Sequence, residues 1–475
     1  MTDSHWLTAR DRSVITILLV ATFVVILNET ALNVALTSVM TDLGVDERTV
    51  QWLTTAFLLT MAVVIPVTGW LLERIPTRSA FLLAISLFLA GTLACAVAPS
   101  FALVVAGRVV QASGTAVMLP LLMTTIMQVV PPAHRGAVMG NVSMVISVAP
   151  ALGPTLSGLV LHFTNWRGVF ALMVPIALTM LVLGVRRIAD VNEPAAIPLD
   201  VWSIPLTVIG FGGLVYGLSL IGDAGAPLTE AALAFGLAGV ALVAFVWRQL
   251  RLRERALLDL RAFRHGSFTM SLVVMALAMM ALFGTIILLP LLLQRALHLE
   301  ALGVGLMLLP GGLLMGVLGP VVGRLYDRIG AKPLMLPASV VIAAVFWMLS
   351  TLQPQTPWWV VLVCHMAMSA SFAFIFTPLF TIALGSLPKP LYTHGSAIVG
   401  TVQQLAGALG TAVFVTVFAA QSHAQLDAGA SPEAALLAGS HPAFLGAGAV
   451  WVLAIVAIAL LRAPQPSDEV PLAAH

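Results

Sequence analysis

Polar residues in this chain are gathered into short breaks between long apolar runs. A run of about 20 apolar residues is long enough to cross a bilayer as a helix. Fourteen such runs occur, near 14–37, 49–72, 79–98, 101–127, 137–161, 166–185, 201–221, 229–248, 267–293, 301–323, 333–352, 357–385, 394–420 and 441–461. Two of them, 267–293 and 357–385, are long enough for kinks to be expected at Pro290 and Pro378. The pattern therefore predicts an all-α membrane protein with 14 transmembrane helices.

The placement of basic residues tests that count independently, because cytoplasmic loops carry an excess of Lys and Arg. Every second loop is basic. Arg10, Arg12, Arg74, Arg78, Arg135, Arg186, Arg187, six arginines from Arg248 to Arg264, Arg324, Arg328, Lys332, Lys389 and Arg462 make 18 of the 22 basic residues. The alternate loops hold only Arg48, Arg167 and Arg295, while Arg108 falls inside a span. Both termini are expected in the cytoplasm, and the cell (plasma) membrane is the expected location.

Composition agrees with this topology. Charged residues are 9% of the chain and apolar ones 60%, whereas a soluble domain carries about 25% charged residues. A net charge of +2 gives no reason to expect a nucleic-acid partner. The polar start, MTDSHWLTARDRS, and the length of the run after it are those of a first span rather than a cleavable signal peptide. Cys95 and Cys364 both lie in apolar runs, which argues against a disulfide framework or a zinc site. No metal, cofactor or ATP-binding motif is expected. No convergent His, Asp, Ser or Cys set suggests an enzyme, and no loop is long enough for a receptor domain. The preference for Arg over Lys points to a GC-rich bacterial genome.

A duplicated segment organises the spans. PVTGWLLERIPTR at 66–78 aligns with PVVGRLYDRIGAK at 320–332, and near the same offset ALGPTLSG at 151–158 meets ALGTAVFV at 408–415. Spans one to six and nine to fourteen thus form two pseudosymmetric six-helix bundles, and spans seven and eight are an insert. The expected boundaries are 1–190, 191–250 for the insert, 251–266 for a cytoplasmic linker, 267–465, and a tail at 466–475. In the linker, Leu252, Ala256, Leu257, Leu260 and Phe263 recur at helical spacing. That suits an amphipathic helix on the membrane face, with a solvated linker as the alternative. A parallel repeat of this kind places any substrate site between the bundles near the midplane.

Several motifs resemble those of the major facilitator superfamily, in its fourteen-span drug:H+ antiporter branch, and the resemblance covers nearly the whole chain. The family's loop motif appears as Gly323, Leu325, Asp327, Arg328, Gly330 and Lys332. Its first copy keeps Gly69, Leu71, Glu73, Arg74 and Arg78, but has Pro76 in place of the second glycine. GRVVQASGTA resembles the fourth-helix motif through Arg108, Gln111 and Gly114, with Ala112 where glycine is usual. APALGPTLSG resembles the helix-five antiporter motif through Gly153, Pro154 and Gly158, and NWRGVFALMVP a sixth-helix motif in which Met173 replaces asparagine. LNETALNVALT resembles the first-helix motif through Leu27, Thr30, Asn33, Ala35 and Leu36. Asn28 stands where aspartate is usual, and the acid, Glu29, lies one residue on. This NET variant looks most like the branch around lincomycin-resistance exporters.

The resemblance implies alternating-access export of amphipathic or cationic compounds, coupled to protons, by a monomer in the lipid bilayer. Export of a single antibiotic, metabolite or lipid is the alternative. Glu29 is the one acid deep in a span, and a charge there is costly enough to need a reason. It suits proton coupling; recognition of a cationic drug and a permanent structural pair are the other readings. Counting 1.5 Å per residue puts Arg108 at a similar depth, so the two are expected to approach in at least one state. Asn28, Asn33, Gln51, Gln111, His365, Gln403 and Gln404 are candidate substrate contacts, although a satisfied interior histidine is the simpler reading of His365. The glycines and charges of the two loop motifs suit a gate, in which the acid meets a helix N-terminus across the seam; charges that merely anchor the topology are the alternative. In helix five, Gly153 and Pro154 would permit close approach and a bend, whether for antiport or for packing. VVMALAMMALF and FAFIFTPLF could form adaptable apolar walls or ordinary packing.

Overall fold

The computed structural model describes residues 7–195, 197–221, 227–296, 299–353 and 355–461. Arg462 and the expected tail at 466–475 lie outside the described residues. Among the described residues, fourteen helices are long and apolar enough to span a membrane. They are α1 (Ala9–Leu43), α2 (Glu47–Arg74), α3 (Thr77–Ala96), α4 (Phe101–Val129), α5 (Arg135–Phe163), α6 (Trp166–Arg187) and α7 (Ser203–Ile221). The others are α8 (Leu228–Leu252), α9 (Gly266–Arg295), α10 (Ala301–Ile329), α11 (Lys332–Leu349), α12 (Trp358–Gly385), α13 (Tyr392–Asp427) and α14 (Pro432–Leu460). Among the described residues there is no strand.

Local chemistry sets several helix ends. Thr8, Asp46, Asn165 and Ser431 each cap a first turn by accepting a backbone N–H, and Gly44 closes α1 with a φ of 64°. Pro290 and Pro378 lie inside helices that continue through them. The last span starts earlier than the hydropathy suggests, because Ser431 and Pro432 launch α14 and the helix runs on through His441 and Pro442. Within α7 a π-turn spans Val208–Gly212.

Helices pack in matching pairs in the two bundles: α1 on α5 as α9 on α13, and α3 on α6 as α11 on α14. Across the seam, α5 lies against α10 and α2 against α13. A Cβ at Gly319 would come within 2.5 Å of the Gly140 carbonyl oxygen, and one at Gly323 would strike the Gly136 backbone. Small residues thus bring two backbones together, the usual device between membrane helices. The series runs through Gly316 and Val148 to Gly312 and Ala151. Beyond it, a Cβ at Gly158 or Gly305 would have no neighbour within 4 Å. The halves are therefore closed at the end carrying the arginine-rich loops, called here the basic end.

The inserted α7 lies against both α2 and α13, with α8 outside it. Asp200 ties the pair together through Arg248, at 2.8 and 2.5 Å, and through Ser203. Burial opposes ionisation of Asp200, but these hydrogen bonds outweigh it and hold the carboxyl below the usual range. The segment after α8 differs from both readings of the linker. It forms two 3-10 turns, Arg253–Arg255 and Leu260–Arg264, not one helix. Ala256, Leu257, Leu258 and Ala262 are buried, and Phe263 is exposed. The physical reason is that the strap enters the protein: Gln249 accepts from the Leu258 N–H, and the Leu257 carbonyl lies 3.4 Å from the Cβ position of Gly69.

A second connection, between α6 and α7, supplies a missing cap. Pro76 sits at the N-cap of α3 and makes no side-chain cap hydrogen bond. Asn192 does so from a distance, accepting from the Thr77 N–H and hydroxyl at 2.7 and 2.8 Å. Its amide also donates to the Leu72 and Ile75 carbonyls, at 3.1 and 3.0 Å. Asn192→Ala should cost about 1–3 kcal/mol by stranding these groups. The expected result is a lower melting temperature in detergent; unchanged melting would refute the capping role.

Candidate functional site

Glu29 lies midway along α1, half-buried, and forms no hydrogen bond or ion pair among the described residues. Every other described acid in the spanning helices lies near a helix end. Asn28, one residue earlier, is 1% exposed, and both of its amide atoms lack a partner. Asn33 is exposed and accepts from Thr54 at 3.5 Å. Gly153 lets α5 close on α1 at the residue after Glu29, since a Cβ there would strike the Thr30 side chain. Pro154 and Gly158 are exposed.

Arg108 is 1% exposed and turns toward α2 rather than onto Glu29. Its Nη1 donates to Gln111 Oε1 at 2.6 Å, its Nε to the Leu53 carbonyl at 3.4 Å, and its guanidinium carbon lies 4.0 Å from the Phe57 ring centroid. The charges of Glu29 and Arg108 act on each other without forming an ion pair. Gln111 also donates to Thr92 at 2.7 Å, so both ends of its amide are engaged within the bundle.

The remaining polar candidates do not converge on these groups. His365 faces α10, with Nε2 3.1 Å from the Leu308 carbonyl. Gln403 is buried, Gln404 is half-buried with Nε2 unpartnered, and Gln51 is exposed near the start of α2. Met275 and Met279 are buried. Phe372, Phe376 and Phe380 are also buried, stacked in a row along α12 with centroids 5.5 and 6.3 Å apart. These side chains are packing rather than the wall of an open cavity.

The two loop motifs meet the opposite half. Asp327 accepts from the Gly136 and Ala137 N–H groups at 2.9 and 2.8 Å, at the N-terminus of α5, where an anion is favoured. Its counterpart Glu73 meets His394 Nε2 at 3.0 Å in the first turn of α13, and Gly69 lies against the same imidazole. Arg78 donates to the Val185 carbonyl at 2.6 Å. Arg74, Arg328 and Lys332 are exposed and do not join the seam. A cavity of about 580 Å³ opens beside the Glu73–His394 contact, lined also by Glu254, Arg255, Asp259 and Arg261 of the strap.

Residues 18–411 match the sequence pattern of the Major Facilitator Superfamily. The chain belongs to that superfamily. It is 38% identical over 449 residues to the lincomycin resistance protein LmrB of Bacillus subtilis, covering 92% of this chain and 93% of the relative. To the multidrug export protein EmrB of Haemophilus influenzae it is 30% identical over 404 residues, 83% and 78% of the two chains. The proton:xylose symporter XylE superposes with a TM-score of 0.65 at 16% identity, over 96% of each chain, and carries the fold alone. This major facilitator is a multi-pass membrane protein with two six-helix bundles and two inserted helices.

Two contacts across the seam of this major facilitator were missed by the motif reading. Thr124 of α4 bonds Ser396 of α13 at 2.7 Å, and Thr377 of α12 donates to Ser143 of α5 at 2.8 Å. All four side chains are buried. They tie pseudosymmetric helix pairs together just inside the charged contacts. A neutral hydrogen bond contributes only about 0.5–1.5 kcal/mol, so each of these ties holds the seam weakly. The only sequence signal was small hydroxyl residues within apolar runs, and nothing there tells which helix face they occupy.

Proposed function

We propose that this major facilitator exports amphipathic or cationic drug-like molecules in exchange for protons, by alternating access. The observation that carries the reading is the unbonded carboxylate of Glu29 at mid-span, with a buried Arg108 that acts on it but is held by Gln111, Leu53 and Phe57 rather than by any carboxylate among the described residues. A carboxylate there can carry a proton across the membrane field, in which each charge is worth about 2.3 kcal/mol per 100 mV. In this reading Arg108 approaches Glu29 when the proton leaves. Asn33 and Gln51 offer substrate contacts from one half, and Gln404 and His365 from the other. The basic end, with both termini, faces the cytoplasm; closure there gives an outward-facing state, with Asp327, Glu73 and their glycines as the gate. The resistance and multidrug-export names of the relatives support drug-like substrates.

The test is uptake of lincomycin and a cationic dye into everted vesicles from cells making this protein, with an imposed pH gradient. Uptake should collapse with a protonophore. Uptake that a protonophore leaves unchanged would remove proton coupling from the reading.

A further inference from the structure

An isolated buried cation is costly, and it persists only with compensating partners. Among the described residues Arg108 has no carboxylate in ion-pair contact, and its partners in this state are the Gln111 carbonyl, the Leu53 carbonyl and the face of Phe57. Leu53, Phe57, Met61 and Ile65 recur every four residues along α2, and Arg108, Ala112 and Ala116 do so along α4. Phe57 packs with Met61, Ile65, Ala112 and Ala116 in a small cluster of its own, and it is 1% exposed. The guanidinium thus lies at the end of an aromatic and aliphatic stripe. Gln111 is held in turn by Thr92, whose hydroxyl donates to the Phe88 carbonyl at 2.6 Å. Of these partners, only the Phe57 ring and the Leu53 carbonyl belong to α2, and these are what Arg108 gives up in turning toward α1.

We propose that Phe57 is a positioning residue for proton coupling: its ring holds the Arg108 guanidinium away from Glu29 and sets how readily the cation transfers to the carboxylate. The inference rests on Glu29 being the proton carrier. Cation–π attraction is strongest when desolvated, as here, yet it carries no opposing net charge and can be exchanged for an ion pair. Among the described residues, Arg108 is the one charged side chain that acts on Glu29, and Cys95 on α3 acts on Arg108 beside it. The charged residues of α2, α5 and α6 lie at helix ends.

The experiment is the pH profile of drug-driven proton movement by the full chain in proteoliposomes. It compares the parent with Phe57→Leu and with a polyfluorinated phenylalanine at position 57. Fluorination drains the ring's negative face while keeping its shape, so it tests the attraction without emptying the site. With the ring's hold weakened, Arg108 spends more time beside Glu29 and favours its ionised form. The midpoint should therefore move toward acid by about 0.5–1 pH unit for both variants. An unmoved midpoint in both overturns the inference, and so does a shift confined to Phe57→Leu, which would reflect packing. Glu29→Gln is run alongside: pH-dependent movement surviving in that variant would instead overturn the reading of Glu29.

Discussion

In everted vesicles, Glu29→Gln should abolish proton-driven accumulation while leaving the protein folded and in the membrane. Glutamine keeps the shape of the side chain and removes only its ability to ionise. Glu29 bonds nothing among the described residues, so no hydrogen bond of this state is lost. At about 2.3 kcal/mol per 100 mV for each coupled charge, and about 1.36 kcal/mol per decade, one proton supports a roughly fifty-fold substrate gradient. The variant should reduce that gradient to unity, leaving at most downhill exchange that no longer depends on pH. Arg108 would then keep its place on Phe57 in every state. Retention of an uphill, pH-dependent gradient would eliminate Glu29 as the coupling group.

Gly323→Leu should prevent closure of the basic end and stop transport nearly completely. At Gly323 even a Cβ would strike the Gly136 backbone, and neither α5 nor α10 has a side chain there that could yield. Overpacking in a tight interior commonly costs about 1–3 kcal/mol, and more where backbone meets backbone. That cost falls only on the state with the basic end closed. The protein should therefore persist with the halves parted there. Single cysteines placed near Ser143 and Ser396 would become reactive to a thiol reagent from the cytoplasm. Normal transport by Gly323→Leu, or cysteines that stay protected, would show that the α5–α10 contact is not part of the cycle.

The insert has a physical consequence for such movement. Helix α7 touches α2 of one bundle and α13 of the other, and the strap from Arg253 to Arg264 buries Leu257 and brings its carbonyl against Gly69 at the same seam. Opening the basic end must rearrange the strap as well as the Glu73–His394 contact. The linker's role was illegible in the sequence because its apolar residues fit a helical stripe as well as they fit two short turns. Only the gap between the bundle ends decides that Leu257 is buried while Phe263 stays exposed.

The sequence by itself determined the span count, the paired halves and the one acid that lies at mid-span. Each follows from local rules: the length of an apolar run, the side on which arginines collect, and the cost of a charge in hydrocarbon. It also offered, as one of two readings of the loop motif, an acid meeting a helix N-terminus across the seam, a contact that Asp327 makes in the structure. The tertiary structure alone decided where the mid-span groups point. The one-residue displacement in LNET rotates Glu29 by about 100° from Asn28 around α1. Packing then buries Asn28 and leaves Glu29 only partly covered. Arg108 shares an approximate depth with Glu29, yet it lies on Phe57, since depth along a helix follows from residue number but azimuth depends on the neighbours. Helices apolar on nearly every face carry little record of which side meets a partner. That choice is made only when the fourteen helices pack.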